Sequence, residues 1–186
     1  MIEKFRRTGA LLEGHFLLTS GLHSFVYLQC ALVLQHPSTA EEFGREIAMH
    51  FQDAAIQTVA SPAIGGIVIG HEVARALGAR FIWTERDNGK MLLRRGFSVS
   101  PGEKVLVVED VVTTGGSTRE TIIALQSLGA DVRGAASIID RSSGKADVGV
   151  PRIALATLEV PSVGAAECEA CKRGEEAIKP GSRKIN

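Results

Sequence analysis

Two adjacent carboxylates, Glu109 and Asp110, stand at the end of an apolar run, just ahead of a stretch of small and hydroxyl-bearing residues: Thr113, Thr114, Gly115, Gly116, Ser117 and Thr118. A glycine- and hydroxyl-lined loop that opens a helix presents free N–H groups and a partial positive charge, which suits a phosphate. Two carboxylates beside a phosphate would be repelled by it unless they had other work, such as accepting hydrogen bonds from sugar hydroxyls or facing a metal-bound ligand. A phosphorylated sugar satisfies both halves of the motif. Two other nucleotide-binding loops are excluded. No G-x-x-x-x-G-K-[ST] is present, and GGIVIG at 65–70 has the wrong glycine spacing for a dinucleotide fingerprint.

The elements that must position these groups are legible on both sides. Val105, Leu106, Val107 and Val108 read as a buried strand. Ser117 and Glu120 have capping-box spacing, and Ile122, Ile123, Leu125 and Leu128 continue at helical spacing. The unit is strand, acidic pair, loop, helix. Further strands are expected at 58–61, 80–84, 132–139 and 153–160. Helices are expected at 39–52, after the turn His36-Pro37-Ser38, and where Ile67, Ile69, Val73 and Leu77 would be buried before Gly78 closes the segment. This alternation predicts a parallel α/β sheet with ligand loops at the C-terminal ends of its strands. Residues 63–66, with paired glycines, 110–117 and Arg141 all fall at such ends. Between the strands at 80–84 and 105–108 the chain turns basic and irregular, with Arg86, Lys90, Arg94 and Arg95 around the turn Asp87-Asn88-Gly89. Residues 1–13 look amphipathic, and the following segment changes to β-like residues broken at Ser20-Gly21.

Composition narrows the class. A chain of 186 residues, 45% hydrophobic and 23% charged, can bury a sizeable core as one domain. Lysine plus arginine balances aspartate plus glutamate at 21 each, so no global field recruits nucleic acid or an acidic membrane. Any positive site must be local. No apolar run approaches transmembrane length and the N-terminus lacks a signal peptide's apolar core, which predicts a cytoplasmic protein with no membrane partner. Three cysteines cannot form a paired framework, in keeping with a reducing compartment. Cys168 and Cys171 form a single C-x-x-C, half of a structural zinc site. A zinc ion on a two-fold axis taking both pairs, free thiols and a redox-labile pair all remain open.

The residues VVEDVVTTGGST at 107–118 resemble the phosphoribosyl-pyrophosphate (PRPP) signature of type I phosphoribosyltransferases. The resemblance implies an α/β fold of that type: a parallel sheet flanked by helices in a single domain, with a small N-terminal hood at 1–36 and a tail at 161–186. It implies PRPP binding by Arg86, Lys90, Glu109, Asp110, Val111, Val112, Thr113, Thr114, Gly115, Gly116 and Ser117. Lys90, Asp110 and Glu109 become the catalytic groups, with the carboxylates near the ribose hydroxyls. Mg2+ is implied as the cofactor, held mainly by PRPP and not by protein ligands.

The rest of the chain resembles orotate phosphoribosyltransferases. Their hood pattern F-x-L-x-SG-x-x-S matches Phe16, Leu18, Ser20, Gly21 and Ser24, with Thr19 where a lysine or arginine is common. Tyr27 and Leu28 stand where the family often has two aromatics that cover the base. Residues 63–66 resemble the pyrophosphate loop, with Gly65 at a position often held by lysine, so backbone contacts alone are on offer. Residues 86–97 resemble the flexible catalytic loop. Arg86 and Lys90 keep its arginine-to-lysine spacing, whereas Asp87 and Leu92 replace a frequent lysine and histidine. Arg141, Thr113, Tyr27 and Leu28 are thereby implied in orotate binding. Similar C-x-x-C tails occur in some bacterial members. The implied activity joins orotate to PRPP, giving orotidine 5′-monophosphate and pyrophosphate in pyrimidine synthesis, by a homodimer whose loop 86–97 reaches the neighbouring site. Transfer to a purine or another base, and a non-catalytic PRPP-binding regulator, are the alternatives.

Overall fold

The computed structural model describes residues 2–18 and 21–179; Thr19 and Ser20 of the hood pattern lie outside them. The chain begins with α1 (Ile2–Arg7), then the antiparallel pair β1 (Leu11–Leu17) and β2 (His23–Leu28). Two helices follow, α2 (Cys30–Leu34) and α3 (Pro37–Met49). The body alternates as expected: β3 (Thr58–Pro62), α4 (Gly66–Leu77), β4 (Arg80–Asp87), β5 (Lys90–Leu93), β6 (Lys104–Val112), α5 (Gly116–Ser127), β7 (Asp131–Asp140) and β8 (Arg152–Thr157). It ends in β9 (Ser162–Val163) and α6 (Glu169–Lys172). No helix among the described residues is long and apolar enough to cross a membrane.

The main sheet has the order β5-β4-β3-β6-β7-β8, parallel throughout except for β5, which returns antiparallel along the edge. Helices cover both faces, so a central strand must be apolar on both sides. Val105 to Val108 are accordingly without exposed surface. Leu106 and Val108 face a core with Phe43, Ile47, Ile69 and Val73, while Val105 and Val107 face Ile82, Ile122 and Leu125. The period-2 alternation of the strand thus divides one apolar run between two cores. From β3 the chain passes outward to β4 on one side and returns through β6 to the other. The loops after β3 and β6 therefore diverge at a topological switch point, where open α/β sheets form their ligand crevice.

Three local readings change. The basic stretch after β4 is not irregular: β4 and β5 form a tight hairpin in which Asp87 pairs with Lys90, turning through Asn88 and Gly89 at φ 47° and 81°. Asn-Gly is the dipeptide such a turn favours. The capping box does not form: α5 starts at Gly116 with Gly115 as its N-cap, so Ser117 already lies inside the first turn, and Glu120 pairs with Arg86. The helix expected at 39–52 starts earlier, at Pro37, and stops at Met49, since proline's fixed φ suits the first turn.

Hood and tail are also one structure. β9 pairs with β2, giving a three-stranded sheet β1-β2-β9, and Ile178 bridges to Phe16 on the other edge.

Candidate functional site

A cleft of about 480 Å3 opens between the hood and the C-terminal ends of β6 and β7. Leu18, Leu22, Tyr27 and Leu28 line it from the hood, and Asp110, Val111, Thr113, Thr114 and Arg141 from the sheet. Tyr27 leans on Phe16 at 5.8 Å between ring centroids, which fixes the wall on the hood side.

The acidic pair does not follow β6 but lies within it, because β6 runs on to Val112. Alternation sends the two carboxylates to opposite faces. Glu109 accepts a hydrogen bond from the Thr118 hydroxyl in the first turn of α5. Asp110 instead meets the loop after β3: a Cβ at Gly65 would stand 2.7 Å from its Oδ1. A side chain fits at 65 only if that carboxylate gives way, so the loop approaches as bare backbone. Burial pushes both carboxyl groups up. Glu109 reaches about 7 despite the Thr118 bond, and Asp110 rises against hydrogen bonds from backbone N–H groups.

Thr113, Thr114 and Gly115 make the turn into α5. Gly115 has φ 79°, and an added Cβ would lie 2.9 Å from Val148 Cγ1, so both conformation and space demand glycine there. With no side-chain cap, the first N–H groups of α5 and the helix dipole face the loop, as an anion site requires. Ser117 is half-buried in that first turn. Val112 is buried and its carbonyl accepts the Arg141 N–H, so it supports the strand end and not the cleft wall.

Arg141 is the second pole of the cleft. Its neighbour Asp140 is spoken for: burial opposes ionisation, yet Ser142, Arg152 and Gly144 donate to the carboxylate and hold it at about 2. Arg141 Nε is buried without a hydrogen-bond partner among the described residues, and burial lowers the guanidinium's pKa. An unpaired buried donor is costly unless a ligand completes it.

The hairpin cations divide. Arg86 pairs with Glu120, Arg94 with Asp87 and Arg95 with Glu85, whereas Lys90 is exposed and has no ion pair among the described residues. Arg86 and Lys90 thus stand at the outer edge of the sheet, apart from the residues lining the cleft. Sequence reasoning did not single out Gln29 and Cys30, which enter the cleft directly after Tyr27 and Leu28. Nor did it single out His15 and His23. Both sit in the hood beside Cys168 and Cys171, within a set whose ligand atoms all lie within 4.8 Å of one another.

Residues 32–153 match the family model of the phosphoribosyl transferase domain. The chain is 56% identical over 181 residues to an orotate phosphoribosyltransferase of Pelotomaculum thermopropionicum, covering 97% of this chain and 95% of that one. It is 54% identical over 185 residues to that of Desulforamulus reducens, covering 100% and 97%. Among solved structures, the orotate phosphoribosyltransferase of Aeropyrum pernix superposes with a TM-score of 0.68 at 28% identity, over 84% of this chain and 92% of that one.

Proposed function

The chain belongs to the phosphoribosyltransferase family and, within it, to the orotate phosphoribosyltransferases, and on that premise we propose that it moves ribose 5-phosphate from PRPP to orotate. The observation that carries the reading is Arg141, a buried guanidinium with an unpartnered Nε, in the same cleft as Asp110. Orotate brings the carboxylate that such a donor lacks, and a bond to it would be charge-assisted.

The 5′-phosphate sits against 113–117 at the N-terminus of α5. Glu109 and Asp110 accept from the ribose hydroxyls, and the pyrophosphate meets backbone N–H groups of 64–66, since the Ala63 N–H already donates to the Thr84 carbonyl. Orotate lies between the hood and Arg141. The C1′–O bond to pyrophosphate breaks with its electron pair leaving on oxygen, and a ring nitrogen of orotate, its proton lost, forms the new C1′–N bond. No protein nucleophile is required. The sugar carries positive charge at the transition state, and Asp110 in the cleft, with Glu109 on the other face of β6, stabilises that charge without reorganising. The half-buried carboxylate of Asp110, which lines the cleft, fits a hard cation's hydrated shell, and Mg2+, carried mainly by PRPP, would neutralise the pyrophosphate's charge.

The protein acts as a homodimer in which the 86–97 segment serves the neighbouring site. Exposed Ile64 and Val68, beside Asp110 and Gly65 in a groove of about 230 Å3, support a partner surface against the pyrophosphate loop. Lys90 at the sheet edge, without an ion pair among the described residues, supports a cation held for a second subunit. Arg86 leaves Glu120 at little cost, because an exposed ion pair contributes only about 0–1 kcal/mol. The test is pyrophosphate release from PRPP with a panel of bases. Turnover with orotate is expected; turnover with a purine alone would move the assignment to another base, and PRPP binding with no turnover would make the protein a sensor.

A further inference from the structure

His15 and His23 reach inward from the two strands of the hood hairpin, and Cys168 and Cys171 approach them from the tail. Cys168 Sγ lies 3.3 Å from His15 Nε2, Cys171 Sγ 3.7 Å from the same atom, and Cys171 Sγ 3.4 Å from His23 Nδ1. A tetrahedral zinc site with Zn–S of about 2.3 Å and Zn–N of about 2.0 Å sets sulfur and nitrogen roughly 3.5 Å apart. All three separations bracket that figure. The two ring nitrogens are 2.7 Å apart, a hydrogen bond whose proton a cation would displace. Three of the four residues are buried and the fourth is half-buried.

The surroundings fit as well. His15 Nδ1 lies 3.1 Å from the Glu175 carbonyl, which can only accept, so Nδ1 carries the proton and Nε2 turns its lone pair toward the sulfurs. Fixing a ligand's tautomer through its far nitrogen is the usual outer support of a metal-bound histidine. His15 owes its direction to an irregularity: the β1–β2 register shifts between Glu13 and Phe16, and His15 and Phe16 are consecutive buried residues. A regular strand would have sent one of them to solvent.

We propose that His15, His23, Cys168 and Cys171 of a single chain bind one structural Zn2+ that ties the tail to the hood. Two thiolates and two neutral imidazoles cancel the ion's charge, so the filled site is neutral and tolerates burial. Binding sends the two thiol protons to solvent, and the proton that His23 Nδ1 shares with His15 Nε2 moves to His23 Nε2, which frees the Nδ1 lone pair for the ion. Four protein ligands leave no open position, so the ion is structural and not catalytic. The arrangement replaces the idea of a zinc shared across a two-fold axis, since each chain supplies a complete set. The cross-link sits beside the turn of the hairpin, where His23 pairs with Leu17 and where Leu18 and Leu22 line the cleft, so it braces the wall over the base.

The test is metal analysis of the intact protein, followed by Co2+ replacement. One zinc per chain is expected, with a Co2+ spectrum of tetrahedral intensity and a sulfur-to-metal charge-transfer band. Cys171→Ser and His23→Gln should each weaken metal affinity by at least about 10-fold. Half an equivalent per chain, undiminished in His23→Gln, would overturn the proposal in favour of a cysteine-only shared site. A six-coordinate Co2+ spectrum without the charge-transfer band, or no metal retained by reduced protein, would overturn it outright. Both readouts come from the wild-type protein, so the proposal stays falsifiable if a variant fails to fold.

Discussion

Arg152 reaches from the start of β8 to hold Oδ2 of Asp140 at 3.0 Å, both residues being largely buried. Asp140 is thereby withdrawn from Arg141, its neighbour in sequence, and Arg141 is left to face the cleft. Arg141→Ala should raise the orotate KM by about 10- to 100-fold, the equivalent of one charged hydrogen bond worth roughly 1.5–3 kcal/mol. The PRPP KM should hardly move. Steady-state kinetics with each substrate varied in turn checks this, and equal effects on both would assign Arg141 to the sheet.

Asp110→Asn keeps the shape beside Gly65 and removes the charge. Turnover should fall by about 100-fold or more while PRPP affinity changes little, because a contact specific to the transition state appears in kcat. Stopped-assay kinetics on protein with an unchanged melting curve measures it. An unaltered kcat would reduce Asp110 to a structural acid.

Glu109 ties stability to pH. Its carboxyl titrates at about 7 in the folded chain and at about 4.3 when unfolded. Between those values the folded state holds a proton that the unfolded state has lost. The contribution is fully present below about pH 4 and lost as pH rises through about 7. Urea unfolding of the ligand-free protein should therefore show stability declining across this window, and Glu109→Gln should flatten the decline. Ribose hydroxyls that donate to the carboxylate favour its charged form, so PRPP binding near pH 7 should release protons, as calorimetry in buffers of different ionisation enthalpy would register. Parallel pH slopes for the two proteins would contradict the assignment.

Lys90 and Asp110 can be separated by subunit mixing. Lys90→Ala and Asp110→Asn proteins, each nearly inactive, should regain activity on exchange in proportion to the heterodimer fraction, because a loop acting in trans leaves one site with neither defect. Demonstrated exchange without recovery would mean that the hairpin serves its own site.

What the sequence made legible was whatever chemistry lies contiguous along it. The acidic pair, the glycine turn and the helix after it are neighbours in the chain, and the strand-helix alternation follows from local periodicity. Pairings made by tertiary structure were hidden. Nothing local announces that Arg152 takes Asp140, or that Arg86 takes Glu120. His15 and His23 looked unrelated to the C-x-x-C because only the antiparallel hairpin and β9 bring them together. The β4–β5 hairpin is different: Asn88-Gly89 announced it, but the surrounding charges suggested a loop.

The meeting of hood and tail has a consequence for biosynthesis. Cys168 contacts His15 across 153 residues, and β2 waits for β9 to complete its sheet. A chain emerging from the ribosome can assemble β3 to β8 and their helices, the part that carries the PRPP loop, while the hood still lacks its third strand. Contacts of such long sequence separation form late, since the intervening chain must be ordered first. The nascent chain thus orders the sheet that carries Asp110 and Arg141 before the hood that faces them, because the hood waits for β9 and the segment that holds Cys168 and Cys171.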